Sequence, residues 1–191
     1  MKFTNKETVC KVILLRLDMK TILFFILLLS CIGCENYHPS QAEQLVNSTL
    51  AKAAEVIKKK YKIKPCGQGA AMPGGPIQKL ALCFDTKDQF AKEELRKLLM
   101  QSAQELLSQI NENSDIQPFL KTRPFTIENV EIIIYNHDKN GRGLRDPDIS
   151  TARISQGQLI YRTIDPDDSF KLKNQFEESY EDALKALEVH E

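Results

Sequence analysis

The stretch Ser150 to Thr163 restricts the fold more than any other part of this 191-residue chain. Ala152 and Ile154 share one parity, and Leu159 and Tyr161 share the other. One straight strand would send these apolar pairs to opposite faces. A two-residue turn at Gln156-Gly157 instead sets Ile154 opposite Leu159 and Ala152 opposite Tyr161, so that all four land together. The stretch reads as a β-hairpin, with a bulge at Gly157 as the alternative.

Around that hairpin the apolar periodicity sets out further elements. Ser40 to Glu43 is a capping box, and Val46, Leu50, Ala53, Ile57 and Tyr61 follow at helical spacing to an end near Ile63. Cys66 to Pro76 is rich in Gly and Pro and reads as a connector. It is not a phosphate loop, because a helix comes before it and no Gly-Lys-Ser/Thr closes it. Gln78 to Phe84 is a strand, its nearly continuous apolar run placing it at a sheet centre. Lys87 to Asn111 is a helix facing inward through Phe90, Leu95, Leu98, Leu99, Ala103, Leu106 and Ile110, and Asn129 to His137 is a strand. Asp165-Pro166 resembles a cap with proline at the first helical position. It opens a last helix with Leu172, Phe176, Tyr180, Ala183, Leu184 and Leu187 on its stripe. The expected order is α-β-α-β-β-β-α: a two-layer α+β domain with one mixed four-stranded sheet packed by about three helices.

Ahead of this domain lies Met19-Lys20-Thr21-Ile22-Leu23-Phe24-Phe25-Ile26-Leu27-Leu28-Leu29-Ser30-Cys31-Ile32-Gly33-Cys34. One lysine, an uncharged apolar run and a small residue before a cysteine make a secretion signal. The apolar run of 13 residues from Thr21 to Gly33 is short of the ~20 that span a bilayer. Its end resembles the lipobox of bacterial lipoproteins, with Cys34 after Gly33 as the acceptor. Leu28-Leu29-Ser30-Cys31 also fits, so Cys31 is the alternative. The resemblance covers only about sixteen residues. It implies cleavage before the cysteine, a diacylglyceryl thioether and a further acyl chain such as palmitate on the new N-terminus. More than one chain gives stable anchoring to the cell membrane or the outer membrane, with the domain facing the periplasm or the exterior. Residues 1–33 are then the signal region, with translation from Met19 giving the short basic start such signals have. Residues 34–40 are the tether, and 41–191 a single domain.

Composition narrows the partners. From Cys34 onward the chain holds 158 residues, with 21 Lys+Arg against 24 Asp+Glu. That balance of about −3 lacks the basic excess of a nucleic-acid binder. Lys58, Lys59, Lys60, Lys62 and Lys64 cluster near a helix end, where they suit the helix dipole. Cys66 and Cys83 form an even pair fit for an oxidising compartment, and a disulfide between them would close an 18-residue loop. Two buried thiols are the alternative.

Chemistry-bearing patterns are few. Asn136, Asp138, Asn140 and Gly141 match the first half of a calcium loop. Pro147 stands where the bidentate Glu belongs, so a strand running into an Asn-Gly turn is preferred and no metal is assigned. His137 with Asp138, Asp146, Asp148 and Ser155 is the nearest approach to a catalytic cluster, yet there is no nucleophile elbow or His-Glu-x-x-His helix. Arg153 and Arg162, with Tyr161 nearby, could bind an anionic partner. No cofactor is expected. The leading expectation is a non-enzymatic, lipid-anchored envelope protein that binds a protein partner. The alternative is an anchored hydrolase using the His137, Asp146 and Asp148 region.

Overall fold

The computed structural model describes residues 38–188, and both lipobox cysteines lie outside them. The domain is α+β, built from three helices and one mixed sheet. Helix α1 (Gln41–Tyr61) begins at the capping box: Ser40 accepts from the Glu43 backbone, and Glu43 accepts from the Ser40 backbone at 2.7 Å. It ends at Lys62, whose φ of 62° turns the chain into the sheet. Strands β1 (Lys64–Ala71) and β2 (Lys79–Thr86) follow, then helix α2 (Lys92–Asn111) and strand β3 (Val130–Asn136). The chain closes with β4 (Thr151–Ser155), β5 (Gln158–Ile164), β6 (Leu172–Ser179) and helix α3 (Tyr180–Glu188). Spatial order equals chain order, β1 to β6, and only β2 and β3 run parallel, joined through α2.

The sheet has six strands where four were expected, and both additions are edge strands. Strand β1 occupies what reads as a Gly/Pro connector. Its exposed pattern and glycines carry no apolar alternation, and pairing with β2 supplies the order instead. Strand β6 occupies the first half of the expected terminal helix. Leu172, Phe176 and Tyr180 recur every four residues, a spacing that one strand face can also show. The cap reading at Asp165 fails in a specific way: its carboxylate accepts from the Asp167 backbone at 2.9 Å, forming a turn. The Asp165 amide then donates to the Lys171 carbonyl, which closes a β5–β6 hairpin.

The central hairpin matches its parity. Ala152 pairs with Tyr161 and Ile154 with Leu159. Gln156 and Gly157 both carry positive φ, 51° and 70°, the geometry of a tight two-residue turn whose twist suits the strands it joins.

Helices cover one face of the sheet. Leu80, Leu82, Phe84, Val130, Ile132, Ile134, Ala152, Ile154, Leu159 and Tyr161 point into that layer and are buried. Against them pack Val46, Leu50, Ala53 and Ile57 of α1 and Leu95, Leu99, Ala103, Leu106 and Ile110 of α2. Edge strand β6 is secured to this layer by charge. Arg96 on α2 grips both oxygens of Glu178 at 2.9 and 3.0 Å, and the Tyr161 hydroxyl donates to the same carboxylate at 2.6 Å. Burial by itself would raise the Glu178 carboxyl, but the Arg96 and Tyr161 hydrogen bonds outweigh it and hold it below its ordinary value. Lys92 lies 5.1 and 5.7 Å above the Tyr161 and Phe176 rings and adds a cation–π contact at the same edge.

Candidate functional site

The opposite parity faces away from every helix and forms the second surface of the sheet. Its middle row runs Gly67, Cys83, Ile133, Arg153, Ile160 and Glu177 across the six strands. The next row runs Lys64, Asp85, Tyr135, Thr151, Arg162 and Gln175. Ile133 and Ile160 are half-buried by their own neighbours, whereas Tyr135 is 40 % exposed. An antiparallel-rich sheet with one solvated face ordinarily alternates apolar with polar. Here isoleucine, tyrosine and arginine occupy the solvent side of β3, β4 and β5.

Charge on this face is arranged around Glu131. Its carboxylate sits 3.1 Å from Arg153 Nε and 3.6 Å from Lys79 Nζ, and it accepts from the Ser155 hydroxyl at 3.2 Å. Arg153 is thus compensated within the sheet. Arg162 is not: its Nε donates to the neutral amide oxygen of Gln175 at 2.8 Å. The Arg162 charge stands beside Thr151, while the register neighbour of Tyr135 on β2 is the carboxylate Asp85.

Arg153 and Arg162 therefore share a face, as their parity requires, but Tyr161 does not join them. Its side chain is fully buried in the helix-covered layer, with its hydroxyl on Glu178. Adjacent residues on a strand point to opposite sides, so the grouping of Tyr161 with the two arginines is corrected. Burial, followed by the Glu178 contact, pushes the Tyr161 phenol upward, as suits a structural hydroxyl.

The cluster around His137 comes apart. His137 Nδ1 lies 3.9 Å from Asp85 Oδ1, while Asp146 accepts from Thr163 at 2.8 Å and from Asn174 at 2.6 Å. Asp148 accepts from Gln89. Two clefts walled in part by His137 include neither Asp146 nor Asp148. No general acid–base pair is assembled from these three residues. No protein-family model, curated protein or solved structure matches this chain.

The half-match to a calcium loop is accounted for by local bonds. Asp138 accepts from the backbones of Asn140 and Arg142, both at 2.8 Å, and the Arg142 contact leads in holding its carboxyl below the ordinary range. Gly141, at φ 78°, completes the turn. Among the described residues no group of His, Cys, Asp or Glu could hold a metal ion. Asn136, which the calcium pattern counts as an oxygen donor, is fully buried. It accepts from the Phe90 amide and donates to the carbonyls of Phe90 and Ile149, which locks the end of β3 to the two loops beside it. Nothing in a strand-end asparagine marks that role beforehand.

Cys66 and Cys83 meet at the β1 edge, their sulfurs 2.6 Å apart as free thiols. A bulge between Pro65 and Gly67 brings Cys66 over its neighbour. Gly67 leaves the room: a Cβ there would stand 3.0 Å from the Cys83 sulfur. Burial and the Cys83 hydrogen bond push the Cys66 thiol up to about 12. A nucleophilic cysteine shows the reverse shift, so the direction at Cys66 is that of a structural thiol.

Proposed function

We propose that this chain is a lipid-anchored, non-enzymatic envelope protein that docks a protein partner on the uncovered face of its sheet. One observation carries the reading. Helices pack on a single side of the sheet, and the other side presents Ile133, Tyr135 and Ile160 on the same face as Arg162, which has no acidic partner. The partner chemistry that fits is an apolar protein surface bearing a carboxylate opposite Arg162. Tyrosine and arginine set among aliphatic side chains are the residue types that dominate interface energetics.

Anchoring rests on the lipobox resemblance at Cys34, with Cys31 as the alternative. Among the described residues no helix is long and apolar enough to cross a membrane. The cysteine pair supports an oxidising compartment: an exposed edge-strand thiol already touching a second thiol is placed to bond there. Both sulfurs would lose a proton, and two electrons would pass to a disulfide-bearing exchange partner, which leaves as a dithiol.

The hydrolase reading loses its main support because Asp146 and Asp148 are bound to Thr163, Asn174 and Gln89 and wall neither cleft described at His137. The partner reading is tested by site-specific photocrosslinking in intact envelopes. A photoreactive side chain in place of Tyr135 is expected to give a discrete adduct, and one in place of Lys52, exposed on α1, is expected to give none. No adduct from either position, or the same adduct from both, would overturn the reading.

A further inference from the structure

A second site lies where β2 and β3, the parallel pair of the sheet, end. The loops leaving Thr86 and Asn136 part around a cleft of about 590 Å³, within the size range of small-ligand sites. Ligands in sheets with parallel strands favour the region beyond the strands' carboxyl ends, where diverging loops leave a crevice. The walls here come from four separate parts of the chain. Lys62 is the left-handed cap of α1, Lys64 opens β1, Lys87 follows β2, and His137 follows β3.

Among the described residues Lys62, Lys64 and Lys87 find no ion-pair partner, although other lysines of the domain do. Lys64 is even the register partner of Asp85, yet the two do not form a bridge. Three lysines thus line one concavity together with two carboxylates, Asp85 and Asp88, which leaves an excess of one positive charge with none of the lysines bound to either acid. Gly141 helps to place one of them: the Lys87 Cε and Nζ atoms lie 3.6 and 3.7 Å from where a Cβ would stand. A glycine with φ 78° lets the loop turn and leaves space for that side chain to fold across.

We infer that this cleft binds the phosphate ester of a small polyol. Ammonium and imidazole groups act as compact point donors and suit a tetrahedral dianion, and the cleft lacks the guanidinium fork that favours a planar carboxylate. Asp85, Asp88 and Asn140 on the same walls supply acceptors for neighbouring hydroxyls. The ligand class can reach the protein free in solution or as a phospholipid headgroup. This site borders the uncovered sheet face, with which it shares Lys64 and Asp85, but it does not rest on the partner reading.

The test is backbone amide NMR of the full chain in phosphatidylcholine bicelles. One arm adds glycerol 3-phosphate, and the other replaces a fraction of the lipid with phosphatidylglycerol. Saturable shifts at Thr86, His137 and Gly141 are expected in at least one arm; the first arm alone identifies a free ligand, the second alone a headgroup. A variant carrying Lys62→Gln, Lys64→Gln and Lys87→Gln is expected to weaken that response at least tenfold. A variant carrying Lys52→Gln, Lys97→Gln and Lys121→Gln, which removes three exposed lysines elsewhere, is expected to leave it within twofold. Silence in both arms would overturn the inference. So would shifts spread over all lysine-bearing surfaces, or equal loss in the two triple variants.

Discussion

The two faces of this sheet are made from the same strands and differ in what each residue has to do. On the covered side Phe84, Ile134, Ala152 and Tyr161 form one buried row, and an acid at the edge of the layer, Glu178, is held by Arg96 and Tyr161. On the open side Ile133, Tyr135 and Ile160 sit among charges that only partly cancel. Burial explains the first arrangement fully. It does not explain the second, because Tyr135 and Arg162 gain little from the fold as it stands. The difference separates residues kept for stability from residues available for contact.

The comparison can be broken by mutation, beginning with the covered face. Phe84→Ala, at a fully buried position, is expected to cost about 4 kcal/mol in denaturant unfolding. Glu178→Ala leaves Arg96 unpaired at the β6 edge and is expected to cost about 3 kcal/mol by the same assay. Its pH dependence has a definite sign. The Glu178 carboxyl is lowered in the fold, so its contribution is complete above the unfolded carboxyl value and is lost as pH falls through the folded one. Acid titration of wild type against Glu178→Gln should show that loss in wild type alone.

Cys66→Ser sharpens the picture at the β1 edge. In protein isolated from an oxidising compartment it should lower stability by about 2 kcal/mol, and the intact mass of wild type should be two hydrogens below that of the dithiol. Reduction before unfolding should erase the difference. The smallest effect is expected on the open face. Tyr135→Ser should stay within about 0.5 kcal/mol of wild type in unfolding while removing the envelope adduct's affinity surface. A large stability loss there would assign Tyr135 to folding rather than contact.

The parity switch between Ile154 and Leu159 was enough to read the β4–β5 hairpin and its register, because a half-buried strand cannot change faces without a turn. Helix α1 was equally legible from its stripe, and α2 from Leu95 onward; the expected start at Lys87 falls five residues early, because Phe90 fits the stripe while its backbone is held by Asn136. Edge strands β1 and β6 were not. Gly67 and Gly69 bury no side chain, and the four-residue spacing of Leu172, Phe176 and Tyr180 satisfies a helix as well as a strand. Long-range pairing decided both cases. At the sites, sequence placed Arg153 and Arg162 on one face, but Tyr161 fell on the other and Asp146 and Asp148 turned away from His137. The convergence of Lys62, Lys64 and Lys87 depends on three strand and helix ends meeting, which spacing along the chain does not encode.

Hydroxyl-radical footprinting of native envelopes beside the purified full chain tests the central claim in one sample. Phe170, 98 % exposed in the β5–β6 turn, serves as the internal reference. The account predicts that Tyr135 is oxidised several-fold less in envelopes than in purified protein, while Phe170 is oxidised alike in both. Equal oxidation of Tyr135 in the two samples would mean that the open face carries no partner, and would contradict the account.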